Sequence, residues 1–252
     1  MTQRVQNDQP PDLQHMTGCR TPLVPTLSDM ADSPRVFLDV GAHHGETLRV
    51  AMESEWGFDR IWCFEPVNSC VEVLRSVADD RVEVVPSGLW STDAMMDIHD
   101  PGALHASVDS EASRRGEIES CTFLDAARWF AEHISLNDKV WLKINIESAE
   151  IEVLDRLVAS GEIHKVNHLV VHFDAEKFVG RKSDADRTRA LLSSTGVNWR
   201  DAADVMFGRT VEAKTRAWLA TTHGRRWAFL RAKAEHKLRA QAWRWRKQIR
   251  RS

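Results

Sequence analysis

The run VFLDVGAHHGET, Val36 to Thr47, constrains the chain more than any other: apolar residues reach Asp39, break at Gly41, and meet Gly45 where helical pattern begins. Strand, glycine turn and helix start form a nucleotide cradle, because glycine lets backbone approach a ligand and the helix start offers unpaired N–H groups. A dinucleotide fold asks for G-x-G-x-x-G with its acid further on. Here the acid comes first, and the order is D-x-G-x-x-x-G. That order suits S-adenosylmethionine, whose ammonium favours a nearby carboxylate, and makes Asp39, Gly41 and Gly45 candidates for the methionine side of a cofactor site. His43 and His44 stand in the same turn, as groups packing round the cofactor or as bases. The competing reading is an ordinary Asp-Gly turn at a strand end.

A second carboxylate points the same way. RIWCF, Arg60 to Phe64, reads as a buried strand ending in Glu65 and Pro66, 26 positions after Asp39. In doubly wound sheets ligands gather at the carboxyl ends of strands, where such an acid accepts hydrogen bonds from ribose hydroxyls. The alternative is a capping acid ahead of the helix expected from Asn68 to Val77.

The third segment is WLKINIESAEIEVL, Trp141 to Leu154, a strand through Ile144 or Ile146 entering a helix that bears Glu147, Glu150 and Glu152. DVGAHHG, FEP and LKINIESAEIEVL together resemble the three signatures of the FkbM-type methyltransferases, which usually read DVGANxG, FEP and KIDVEGAE. Order and spacing agree, and the resemblance covers roughly Val36 to Phe207. It implies a class I methyltransferase fold that uses S-adenosylmethionine to methylate a hydroxyl of a sugar or small natural product. Three positions depart from the pattern: His43 for Asn, Asn145 for Asp and Ser148 for Gly. Asn145 does not ionise, so it serves neither as a general base nor as a strong ligand for a hard cation.

Methyl transfer to a hydroxyl requires alignment of the reactants and a base for the hydroxyl proton. The bases available at strand ends are Glu147, His172 and Asp174, with His43 and His44 in the first turn. The resembled family often carries Glu and His after its fifth strand, and His172 and Asp174 of HLVVHFD occupy those places. Histidine titrates near neutrality and suits the task, although a satisfied core or edge histidine fits His172 as well. Glu147 and His172 are the candidate catalytic pair. The spacing of Glu147 and Asp174 carries no metal signature, so no metal is expected.

At 252 residues and 42% hydrophobic content the chain holds one domain with a sizeable core. Strand and helix patterns alternate from Val36 to Phe207, the rhythm of an α/β fold. With the resemblance, this predicts a Rossmann-like, mostly parallel seven-stranded sheet flanked by helices, closing with strands near Val197 and Val205 to Phe207. Pro86 to Glu119, rich in Ser, Asp, Gly and His, reads as loop and as a surface for substrate contact. Cys19, Cys63, Cys70 and Cys121 show no paired spacing, which fits a reducing cytoplasm. Residues 1–33 are polar and aperiodic, the pattern of a disordered leader. They lack the basic start and apolar stretch of a signal peptide.

From Arg209 to Ser252 there are 14 Lys or Arg against two acids, whereas the preceding 208 residues carry 20 against 35. Trp227, Leu230, Ala234, Leu238, Trp245 and Ile249 recur at helical spacing, so the 209–252 tail reads as a basic amphipathic helix. Over 213–250 such a helix suits an anionic membrane, which would match a lipid-linked acceptor. The alternatives are packing of the stripe on the domain or on a second subunit, and, less in keeping with the acidic body, nucleic acid. The expectation is thus a methyltransferase over 34–208 acting in the cytoplasm or at the inner membrane surface. The alternative class is a cofactor-binding scaffold without turnover; a nicotinamide-dependent oxidoreductase is disfavoured by the glycine spacing.

Overall fold

The computed structural model describes residues 33–102, 116–146, 149–177 and 180–249, with side chains as far as Trp243. In chain order the elements are β1 (Arg35–Val40), α1 (Glu46–Ala51), β2 (Arg60–Phe64), α2 (Asn68–Val77), β3 (Val82–Val85), β4 (Gly88–Trp90), β5 (Ala94–His99) and β6 (Ile118–Asp125). They continue with α3 (Ala126–His133), β7 (Lys139–Ile144), α4 (Glu150–Ser160), β8 (Val166–Val171), α5 (Lys182–Thr195), β9 (Trp199–Asp201), α6 (Ala202–Val205), α7 (Val211–Thr222) and α8 (Arg226–Ile249).

Six strands form one parallel sheet in the order β3-β2-β1-β7-β8-β9. Successive side chains of a strand point to opposite faces, and β1 fills both. Val36, Leu38 and Val40 join a core with Val140, Leu142 and Ile144 of β7 and with α3, α4 and α5. Phe37 joins a second core with Leu48, Phe58, Trp141 and Trp218. A strand buried on both faces reads as a near-continuous apolar run, as β2 does and as β1 and β7 do apart from Asp39 and Lys143. The fold is therefore α/β, with a parallel central sheet between helices.

Two details differ from the sequence expectation. The central sheet has six strands among the described residues rather than seven, because Val205 to Phe207 is not a strand: Asp201 accepts the backbone N–H of Ala203 and starts α6 there. The stretch expected as loop between Pro86 and Glu119 contains β4 and β5, which with β6 form a second sheet ordered β4-β6-β5. Its apolar face is short, Ile98 with Cys121 and Phe123, and its strands are rich in residues that also read as turn. α3 starts at Ala126 because Asp125 caps it by accepting the N–H groups of Ala127 and Arg128. Residues 1–32 of the leader, and 103–115 of the stretch expected to contact substrate, lie outside the described residues.

The basic segment after Arg209 divides in two. α7 packs on α1 with Trp218 and Leu219 fully enclosed, so it belongs to the core of the unit that spans Ser33–Ser252. α8 packs on α7 and on Phe207 through Phe229, Lys233 and His236. No helix among the described residues is long and apolar enough to cross a membrane.

Candidate functional site

Strand order reverses between β1 and β7, one connection running outward through β2 and β3, the other through β8 and β9. The carboxyl ends of strands at such a reversal diverge and leave a crevice. A cleft opens there, lined by Gly41, His43, Glu65, Lys143, Asn145 and Ala149 along one side. Leu89, Ile98 and Phe123 of the second sheet form an apolar wall, and Gly102 and Val211 lie at its margin.

The first turn is shaped by its glycines. Gly41 has φ 81°, and a Cβ there would collide with the carbonyl of Asn145, so only glycine lets β1 leave the sheet across the end of β7. The N–H groups of Gly41 and Ala42 both donate to the carbonyl of Phe64, tying the turn to the end of β2. Gly45, also left-handed, precedes α1. Between them His43 adopts φ 48°, a conformation uncommon for a residue with a Cβ.

Glu65 faces this turn. It is 6% exposed, accepts the backbone N–H of His43 at 2.8 Å on Oε2, and accepts that of Val67 at 3.0 Å on Oε1. Each carboxylate oxygen still has acceptor capacity toward the cleft. Burial pushes the carboxyl above the ordinary range, against the two N–H groups that favour its charged form.

Asp39 occupies a different position from the other candidates. It is fully buried rather than part of the cleft lining, and its Oδ1 receives Lys143 Nζ at 2.7 Å. The two residues are register partners on β1 and β7. Lys143 also donates to the carbonyl of Gly41 at 3.1 Å, so the pair holds the turn from beneath. Burial raises the pKa of Asp39, with Lys143 opposing the shift. Asp39 Oδ2 is buried without a hydrogen-bond partner. Lys143 was missed by motif reading, yet a signal existed: Asp39 and Lys143 are single opposite charges inside two apolar runs.

The catalytic candidates are less concentrated. His172 follows β8, donates its backbone N–H to Ile144, and sets Nε2 3.2 Å from Met206 Sδ. It lines a separate depression with Asp174, Arg189, Asp201 and Lys214. Burial, aided by Lys143, lowers its pKa to about 4. Glu147 and Ser148 lie outside the described residues, between Ile146 and Ala149, which both line the cleft. Glu150 is fully buried, with Oε1 accepting the N–H of Ala175 at 2.6 Å, and burial raises its pKa to about 7.

No curated protein matches the chain. Among solved structures it is similar to the methyltransferase FkbM from Methylobacillus flagellatus KT, at 19% identity and a TM-score of 0.42, over 64% of this chain and 37% of that one. The chain thus spans little more than a third of that protein's length. The family model of the methyltransferase FkbM domain matches residues 39–199, from the buried Asp39 of the first turn to the start of the last strand. That stretch is well over half of the chain and contains Gly41, Glu65 and Lys143, so this protein belongs to the FkbM methyltransferase domain family.

Proposed function

We propose that the protein is an S-adenosylmethionine-dependent O-methyltransferase acting on a hydroxyl of a sugar, a glycan or a small natural product. The observation that carries the cofactor reading is Glu65, oriented by two backbone N–H groups at a strand end, with lone pairs left to receive vicinal ribose hydroxyls. The residues present fit such a cofactor. Leu89, Ile98 and Phe123 offer an apolar wall suited to a flat base, and Gly41 presents bare backbone to the cleft. The ammonium that Asp39 meets directly belongs to Lys143, so Asp39 acts as a positioning residue, with Oδ2 as its spare acceptor.

When bound, S-adenosylmethionine supplies an electrophilic methyl group that an acceptor oxygen displaces from sulfur. The chain's part is to align the acceptor and take its proton. A histidine whose conjugate acid has a pKa of about 4 is a weak base at neutral pH, and His172 lines another depression. Glu147, which the sequence sets between the cleft residues Ile146 and Ala149, is the base we assign to that proton.

The test is calorimetric titration of the full chain with S-adenosylhomocysteine. Micromolar binding that falls at least tenfold in Glu65→Gln supports the reading. A folded wild type that binds nothing sinks it.

One further observation supports an acceptor presented at an anionic membrane. α8 meets the domain through Phe229, Lys233 and His236, which leaves Trp227 84% and Leu238 65% exposed on the opposite face. Arg226 and Lys237 flank that pair on one side and Arg231 and Arg239, both bonded to the Glu235 carboxylate, on the other, a basic-flanked pattern that suits an interfacial helix. Flotation with vesicles containing anionic lipid at physiological salt should carry the protein, and Trp227→Ala with Leu238→Ala should release it. Equal recovery of wild type and the double variant counts against the membrane role.

A further inference from the structure

We infer that His43, His44 and Cys70 form a binding site for a thiophilic metal ion, with zinc(II) as its principal occupant, in the wall of the same cleft. The ligand atoms of the three side chains all lie within 4.8 Å of one another. Two local features converge to bring this about. The left-handed backbone at His43, followed by Gly45, turns both imidazoles to one side, with ring centroids 3.9 Å apart. Cys70 lies in the first turn of α2, where the carbonyl of Val67 receives its N–H, and its thiol side faces the cleft that His43 also lines.

Two imidazoles and a thiolate are a borderline-soft donor set, the kind that selects zinc or copper(I) over calcium or magnesium. In tetrahedral zinc, metal–nitrogen bonds of about 2.0 Å and metal–sulfur bonds of about 2.3 Å place donors roughly 3.3–3.6 Å apart. The three groups therefore close on an ion by about 1 Å, within the reach of side-chain rotation. Three protein ligands leave a fourth position for water, as in open zinc sites. The Glu46 carboxylate lies 3.8 Å from His43 Nδ1, placed to orient that ring from outside. His43 Nε2 is 3.2 Å from the carbonyl of Gly102, a contact that binding through this nitrogen would replace. The thiol proton passes to solvent as the metal–sulfur bond forms, so zinc affinity rises with pH.

Because His43 and Cys70 also line the proposed cofactor cleft, an ion held there competes with a nucleoside ligand. This consequence rests on the cofactor reading; metal binding itself does not.

The experiment titrates metal-free, tag-free full-length protein with zinc chloride by calorimetry, and with cobalt(II) for a thiolate-to-cobalt charge-transfer band. Expected are one zinc per chain, at least tenfold weaker binding in His44→Ala and in Cys70→Ser, and loss of the cobalt band in Cys70→Ser. Circular dichroism checks that both variants are folded. No stoichiometric zinc binding by the folded wild type, or binding that both variants retain, overturns the site. S-adenosylhomocysteine titrations with and without zinc test the competition. A zinc-induced loss of affinity in wild type but not in Cys70→Ser supports it, and an affinity indifferent to zinc refutes it. A protein that binds zinc through these residues but no S-adenosylhomocysteine sinks the cofactor reading and leaves the metal site standing.

Discussion

Lys143 is a cation with almost no water, and its value to the fold lies in what it prevents. Removing one partner of a buried pair leaves the other uncompensated, which costs about 3–5 kcal/mol. Lys143→Met should therefore destabilise the chain by about that amount in urea unfolding, while Lys143→Met with Asp39→Asn should recover most of the loss. Glu65 is judged by ligand rather than by stability. Its raised pKa means that it takes up a proton at higher pH than an ordinary carboxylate, so S-adenosylhomocysteine binding should weaken as pH falls through that region. Glu65→Gln should remove this dependence along with the affinity. Glu150 has a definite window. Its folded pKa of about 7 lies above the ordinary glutamate value of 4.5, so the folded state holds more protons between these values and stability falls as pH rises through them. The full effect is on the order of 3 kcal/mol. Urea titrations from pH 4.5 to 7 should show that slope in wild type and a flatter one in Glu150→Gln.

Among the elements, α7 and α8 share a basic composition and play different parts. α7 starts where the Thr210 hydroxyl accepts the N–H of Ala213, and it drives Trp218 into the core beside Phe37, with ring centroids 6.0 Å apart. Trp218→Ala should cost about 3–5 kcal/mol in chemical denaturation, as for other large aromatic truncations. α8 joins the domain by one narrow face, so Trp227→Ala and Leu238→Ala should leave the denaturation midpoint nearly unchanged while altering vesicle binding. Reading 209–252 as one tail followed from its charge run. Charge alone does not separate a helix whose arginines reach water from the edge of a core, as α7 does, from one that leaves an apolar stripe uncovered. Thr215, Ala217 and Trp218 of α7 carry no stronger apolar period than α8, and only the docking of α1 tells the two apart.

For the whole molecule, the chain order of its motifs determined where the cleft lies. Glycines 41 and 45, the acid after RIWCF and the alternation of strand and helix dictate a parallel sheet with a crevice at its reversal. Backbone conformation and burial on both faces are local demands that leave direct marks on sequence. The second sheet was illegible because its strands are short and half-polar, and pairing β5 with β6 needs contacts 19 or more positions apart. The ion pair of Asp39 with Lys143, the neutrality of His172 and the meeting of His43 and His44 with Cys70 were decided by tertiary structure. Each depends on which distant group shares a dehydrated space, and burial strengthens or shifts an electrostatic interaction only after the fold has removed the water.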